Sequence, residues 1–315
     1  MDYKASLAFW TEEKGKLSMS IVKLRHIWFA IAGTLIALSL VAIIVIGVPF
    51  GIDFTGGSLL EVEIPGGVAV DEVRTIVADL GHESLAVQET GEQGYLIRTV
   101  SLSEDQHQSI VHALEERFGE EVEEMRFDSI GPVIGQELRK TATWGIVITL
   151  LLIGLYIAFA FRQVSKPIAS WKYGLLTIGA AFHDVILMLG IYIVVSHFYG
   201  WEVNSAFVAA ALTILGYSIN DTVVVFDRTR ENLASDRKKG TFEDTVDVSV
   251  RQTLRRSLNT SITTLLALVA IFLFGGSTTQ PFAFALIVGI IVGTYSSLFL
   301  ASPALVAWEA LSRKK

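Results

Sequence analysis

The sequence predicts a polytopic α-helical membrane protein, with six transmembrane spans and a small α/β domain inserted between the first and the second. Three observations lead there. First, 51% of the 315 residues are hydrophobic and only 18% are charged, at a mean hydropathy of +0.52. A soluble domain with that apolar share usually carries about a quarter charged residues. Second, the charges leave long gaps, and a helical span needs roughly 20 mainly apolar residues. Third, the one long segment that interrupts the apolar series, 49–140, holds 19 acidic residues against six basic ones. A soluble enzyme is excluded.

The spans follow from where charge is missing. Residues 27–52 carry none, which puts a first span at 27–48 behind an N-terminal tail, 1–26. That tail, the length of the apolar run and the lack of a small-x-small cleavage site argue against a removable signal peptide. Residues 141–161 carry no charge and make the second span. Only Asp184 falls between Lys172 and Glu202, and only Asp221 between Val203 and Phe226, so spans three and four occupy 173–195 and 203–226. After Arg256 come 52 uncharged residues before Glu309, too many for one crossing. The polar run Gly275-Gly276-Ser277-Thr278-Thr279-Gln280-Pro281 divides them into span five, 257–274, and span six, 282–304.

Basic residues set the expected orientation. The N-terminal tail holds five Lys and Arg, the 162–172 loop three, the 227–256 loop eight and the C-terminal tail, 305–315, three, whereas the loops 196–202 and 275–281 hold none. Both termini are therefore expected in the cytoplasm and residues 49–140 outside, a long segment being free to cross in spite of its charge. In the 227–256 loop, Phe242, Val246, Val250 and Leu254 recur as on an amphipathic helix lying at the cytoplasmic interface against membrane lipid. Acidic side chains interleave with the basic ones there, which makes nucleic acid a poor partner. The absence of Cys removes disulfides, iron–sulfur clusters and thiolate metal sites.

Within 49–140, Leu59-Leu60-Glu61-Val62-Glu63-Ile64 alternates like a half-buried strand and stops at Pro65-Gly66-Gly67. Val70, Val73, Ile76, Val77 and Leu80 repeat at helical spacing, and strand-like runs follow at 84–89 and 94–100. Ser103, with Gln106 three residues on, opens a helix over 104–118 whose apolar face is Ile110, Val111, Leu114 and Phe118. A last strand covers about 122–129. The order is βαββαβ, a ferredoxin-like plait, and roughly 80 residues suffice for one sheet–helix core. In the preceding Gly51-Ile52-Asp53-Phe54-Thr55-Gly56-Gly57-Ser58, no Lys-Ser or Lys-Thr follows the glycine pair and a strand comes next. That is a tight turn, not a phosphate loop. Glu115, Glu116, Glu120, Glu121, Glu123 and Glu124 lack calcium-loop spacing and read as a solvated acidic edge. His107 and His112, five apart on one helix, read as surface histidines.

Two acids lie inside the membrane. Asp184, preceded by His183, sits about eleven residues into span three, near the bilayer centre at 1.5 Å per residue. Asp221 sits about six residues from the cytoplasmic end of span four, among Ser218, Asn220 and Thr222. A carboxylate facing lipid costs several kcal/mol, so each must face protein or water, or be protonated. One reading is a proton relay; the plainer one is a polar contact between helices, worth about 0.6 to 2 kcal/mol. Arg256 is either a cytoplasmic anchor or a guanidinium turned inward toward Asp221. Thr260, Thr263 and Thr264 continue a polar stripe on span five, and Gly289, Gly293, Thr294, Ser296 and Ser297 give span six a small-residue face.

Gly51-Ile52-Asp53-Phe54-Thr55-Gly56-Gly57 after a first span resembles the motif with which the SecD/SecF export proteins begin their domain. Ile214-Leu215-Gly216-Tyr217-Ser218-Ile219-Asn220-Asp221-Thr222, continued through Val223-Val224-Val225-Phe226-Asp227-Arg228 to Glu231-Asn232, resembles the fourth-span signature of the SecF branch. His183-Asp184 and the stretch Arg256 to Ser261 fit the same family, so the resemblance covers nearly the whole chain. It implies half of an RND-type bundle in the bacterial cytoplasmic (inner) membrane. The expected partner is SecD, and the pair would assist the SecYEG channel and SecA motor on a translocating preprotein, with YajC and YidC as further partners. The proton motive force would drive late steps of export. The resemblance assigns Asp221 to the proton pathway with Arg256 beside it, and Asp184 less clearly. His183, Asn220, Ser218, Thr260 and Thr264 become supporting polar groups, and Gly51, Asp53, Phe54, Gly56 and Gly57 the motif at the start of the domain. Asn259 departs from the family pattern, where an apolar residue is expected. No cofactor or metal is implied; protons are the coupling ion. The rivals are half of an RND-type small-molecule or lipid exporter, and a structural scaffold without a proton role. The first needs a substrate channel for which so small a plait has little room.

Overall fold

The computed structural model describes residues 20–81, 84–90, 93–119, 121–162, 167–234 and 240–313. Of the expected segments, 1–19 of the N-terminal tail, 163–166 and 235–239 of the basic loops, 314–315 of the C-terminal tail and Glu120 of the acidic edge lie outside the described residues. Helix α1 (Arg25–Val45) leads to a helical turn, α2 (Ile52–Thr55), and then to β1 (Gly57–Glu63), α3 (Val70–Asp79), β2 (Ser84–Thr90), β3 (Gly94–Thr99), α4 (Glu104–Phe118) and β4 (Glu123–Ile130). The remainder is helical: α5 (Pro132–Ala160), α6 (Ser170–Tyr199), α7 (Ser205–Ala234), α8 (Phe242–Phe274) and α9 (Gln280–Ser296), which passes through a π turn (Ser297–Ala301) into α10 (Ser302–Arg313). Six of these helices are long and apolar enough to cross a membrane, counting α9 with its continuation as one.

The inserted domain is the expected βαββαβ plait. Its sheet has the order β2-β3-β1-β4, with every neighbouring pair antiparallel. Leu60, Val62 and Ile64 alternate onto the face that α3 and α4 cover, where they meet Val73, Val77, Ile110, Leu114, Tyr95 and Ile97. Ser103 and Gln106 form the capping box: Gln106 N donates to Ser103 Oγ at 3.4 Å, and Ser103 N donates to Gln106 Oε1 at 2.9 Å. One expectation fails here. His107 is buried, not on the surface: its ring lies parallel to Phe127 at 3.8 Å, with Glu104 and Glu124 at 3.3 and 3.1 Å from its nitrogens. The long-range β1–β4 pairing brings Phe127 and Glu124 over α4, a neighbourhood that local periodicity does not contain. His112 is exposed as read.

In the helical part, half or more of the most apolar stretch is buried in α6, α7 and the α9–α10 unit, but under a fifth in α1, α5 and α8. Three central helices thus carry three peripheral ones. Glycine permits the close approach of α9 to α7: a Cβ at Gly289 would lie 2.4 Å from Ile214, and one at Gly293 2.7 Å from Ser218. The amphipathic helix read in the 227–256 loop is continuous with span five, because neither Gly nor Pro occurs between Phe242 and Phe274. Its cytoplasm-expected end is fixed by a second capping box, Thr241 with Asp244, and by Asp247, which accepts from Ser20 Oγ at 2.8 Å and Val22 N at 3.2 Å. The π turn precedes Pro303, whose ring lacks an N–H and crowds the carbonyl four residues back; the wider turn relieves that conflict.

Candidate functional site

Asp184 sits where α6, α7 and α9 converge. Its Oδ1 lies 2.9 Å from His183 Nδ1, and its Oδ2 accepts from Ser218 Oγ at 2.5 Å and from Ser296 Oγ at 2.7 Å. The carboxyl is completely buried. Ser296 reaches it because Gly293, one turn earlier on α9, lets that helix lie against Ser218. The sequence reading missed this bond: Ser296 was legible only as a small residue. His183 Nε2 and the Tyr295 hydroxyl are buried without a hydrogen-bond partner among the described residues, with ring centroids 6.1 Å apart. Nothing in the sequence singled out Tyr295.

Asp221 lies one turn along α7 and does not join that network. Its Oδ1 accepts from Ser257 Oγ at 3.2 Å; its Oδ2 is buried and unpartnered among the described residues. The neighbouring Thr222 pairs with Ser297 at 2.8 Å, tying α7 to the π turn. Arg256 is exposed and within electrostatic range of Asp221, with no ion pair joining them among the described residues. Asn220 and Thr260 are exposed, the latter donating to the Arg256 carbonyl at 3.0 Å. Thr264 is half-buried and accepts from the Tyr217 hydroxyl at 3.4 Å. Together with Thr213, Gly216, Asn259 and Thr263, also exposed, they form a polar strip along α7 and α8 in otherwise apolar spans. Of the residues read from the sequence, His183, Asp184 and Ser218 meet in one cluster, while Asp221, Arg256, Asn220, Thr260 and Thr264 lie along the other.

The glycine-rich motif roots the inserted domain on the α6–α7 loop. Gly51 N donates to Val203 O at 2.9 Å, and Val203 N to Pro49 O at 2.7 Å. Asp53 Oδ2 accepts from Ser205 N at 2.8 Å, satisfying an amide at the start of α7. Phe54 is buried, edge-on to Phe50 at 6.1 Å. Gly56 and Gly57 have φ of +76° and +126°, and Cβ atoms there would lie 2.7 Å from Pro132 Cα and from Thr99 O. The pair is a tight, crowded turn, with no room or chemistry for a phosphate. Among the described residues no group of three His, Asp or Glu side chains is placed to hold a metal.

Acids held inside a six-span bundle, with a plait rooted between the first two spans, define a polytopic α-helical membrane protein with ionisable groups inside its spans. Residues 110–311 match the family described as "Protein export membrane protein SecD/SecF, C-terminal", and residues 41–64 match "SecD/SecF GG Motif". The "Protein translocase subunit SecF" of Anaerolinea thermophila is 40% identical over 295 residues, covering 93% of this chain and 94% of that one. The protein of the same name from Thermobaculum terrenum is 38% identical over 304 residues, covering 92% and 94%. The fold is similar to the crystal structure of "SecDF, a translocon-associated membrane protein" of Thermus thermophilus, at a TM-score of 0.81 and 32% identity over 98% of this chain. The present chain spans 41% of that longer one. It belongs to the SecD/SecF family of protein-export membrane proteins, and within it stands with the SecF subunits. It is a multi-pass membrane protein, a transport subunit with an accessory role in Sec-mediated export.

Proposed function

We propose that the chain is the SecF-type half of a proton-driven export accessory, in which Asp221 takes up and releases the coupling proton. One observation carries this reading: Asp221 is buried within a span, yet a single hydroxyl contacts it and its second oxygen has no partner among the described residues. A carboxyl so loosely held is not committed by hydrogen bonds to a single charge state. Asp184, with three partners, is better suited to hold α6, α7 and α9 in register and support the pathway. Arg256, next to Ser257 in the chain, is the proposed cationic neighbour. A potential of 100 mV supplies about 2.3 kcal/mol per charge. Moving a two-state equilibrium from 1:99 to 99:1 takes about 5.5 kcal/mol, so a proton with its pH gradient biases the inserted domain substantially.

The polar strip of Thr213, Gly216, Asn220, Asn259, Thr260 and Thr263 is unsuited to lipid and supports a partner of matching polarity in the membrane. Family identity implies association with SecD and the Sec translocon. In finer detail we propose that SecD covers the strip with a second six-span half, and that SecYEG, SecA, YajC and YidC complete the assembly on the preprotein. Both termini then lie in the cytoplasm of a bacterium and residues 49–140 outside, as the basic residues argue. Export into inverted vesicles, with ATP and with or without a proton gradient, tests the assignment. Asp221→Asn is expected to assemble normally and to lose stimulation by the gradient; normal stimulation in that variant overturns it.

A further inference from the structure

The sheet of the inserted domain has two outer edges, and they are built differently. β4 carries four charged side chains in eight residues, Glu123, Glu124, Arg126 and Asp128, a common guard against pairing with another chain. β2 carries one in seven, Glu89, and no strand pairs with its outer side among the described residues. The register shows which of its backbone groups are spare. Ile64 N donates to Gln93 O at 2.8 Å, so by alternation residues 95, 97 and 99 turn their backbone groups to β1, and 94, 96 and 98 turn theirs to β2. The latter face Thr90, Gln88 and Ala86. The N–H and C=O groups of Val87 and Glu89 therefore point outward. A cleft of about 380 Å³ follows this edge and is lined on its other side by the end of α6, where Phe198 and Tyr199 are 79% and 69% exposed. That wall is fixed in place. Arg98 of β3 pairs with Glu202 of the α6–α7 loop, Nε to Oε1 at 3.0 Å, and Gly200, with a φ of +67°, lies so near β2 that a Cβ there would be 2.6 Å from Gln88.

We propose that the outer edge of β2 binds an extended segment of the exported polypeptide, which adds to the sheet as a fifth strand. A strand edge offers main-chain donors and acceptors two residues apart. They complement another extended main chain, and neither a lipid headgroup nor a globular surface presents that pattern. Main-chain bonding is indifferent to side chains, the property needed by an export subunit that meets many sequences. With Glu89 the one charge on β2, few of those sequences are repelled. Phe198 and Tyr199 add apolar contact that is equally tolerant, and they close a membrane-spanning helix, so the cleft opens at the level where a polypeptide leaves the bilayer. The inference rests on the outside placement of residues 49–140 proposed above and does not require Asp221 to carry protons.

The chain has no cysteine, so a single one introduced reports on its own position. Inverted vesicles holding the full chain with its translocase are given a polypeptide that bears one cysteine and is halted in transit by a folded C-terminal domain. Under oxidation, Tyr199→Cys in the cleft is expected to join the halted chain, whereas Met125→Cys, on β4 and 57% exposed, is not. Glu89→Pro, added to Tyr199→Cys, removes one outward donor and spares the β2–β3 bonds, because that N–H points away from β3. It is expected to lower the cross-link by about three- to tenfold. Equal joining at Tyr199→Cys and Met125→Cys, none at Tyr199→Cys, or a yield indifferent to Glu89→Pro overturns the proposal. A maleimide that cannot cross the membrane reads the side of the domain separately, and is expected to label Tyr199→Cys only after detergent opens the vesicles. Labelling before that step overturns the outside placement; a shielded thiol that forms no cross-link overturns the binding edge alone.

Discussion

Asp184 and Asp221 occupy neighbouring spans, and neither tolerates lipid, yet they are held in opposite ways. Around Asp184 three donors from three helices converge and the carboxyl is sealed. Around Asp221 there is one hydroxyl, an unpartnered oxygen and an exposed polar strip alongside. The difference teaches that burial alone does not mark a proton carrier. An acid with all its acceptors used ties helices together; under the proposed function, the one with acceptors to spare carries the proton.

Substitutions sharpen or break that contrast. The largest effect is expected from Asp221→Asn, which removes gradient-stimulated export while leaving assembly intact. Asp184→Ala should instead strike the fold. It strands Ser218 and His183 without their acceptor, each costing about 1–3 kcal/mol, leaves Ser296 only the Gly293 carbonyl, and is read as a fall in thermal stability and yield. Loss of gradient response in Asp184→Ala at unchanged stability would erase the distinction between the two acids. Gly293→Ala places a methyl 2.7 Å from Ser218 Cβ, forcing α9 from α7 at a cost of about 1–3 kcal/mol; a melting curve of the purified protein checks it. Smallest is Ser257→Ala, which removes the one hydroxyl on Asp221. Its expected signature is a displaced pH profile of stimulated export, by up to about one pH unit, with stability changed by about 1 kcal/mol at most.

Both acids were legible in the sequence because an isolated Asp in a long uncharged run has few explanations. The number of spans was legible for the same reason, and the plait was legible because its strands and helices keep local periodicity. What escaped depends on helix rotation or distant pairing. Ser257 and Ser296 look like any hydroxyls in a span until two helix faces are known to meet. His107 needed β4 to be laid across α4. The gap in charge marked where the bilayer begins, not where α8 begins, so the interfacial helix and span five were read as separate pieces. Arg98 and Glu202 lie 104 positions apart, in a strand and a loop, and no pattern in either stretch points to the other.

Helix α5 has a mechanical consequence. From Pro132 it runs without interruption to Ala160, and its first turn is wedged against the glycine turn of the domain, where a Cβ on Gly135 would lie 2.9 Å from Gly56 N. Its 29 residues extend about 43 Å at 1.5 Å per residue. A rod of that length converts a five-degree tilt at one end into a displacement of about 4 Å at the other. Under the proposed function, a tilt of the bundle by that angle would move the end of α5 held against the domain by that distance.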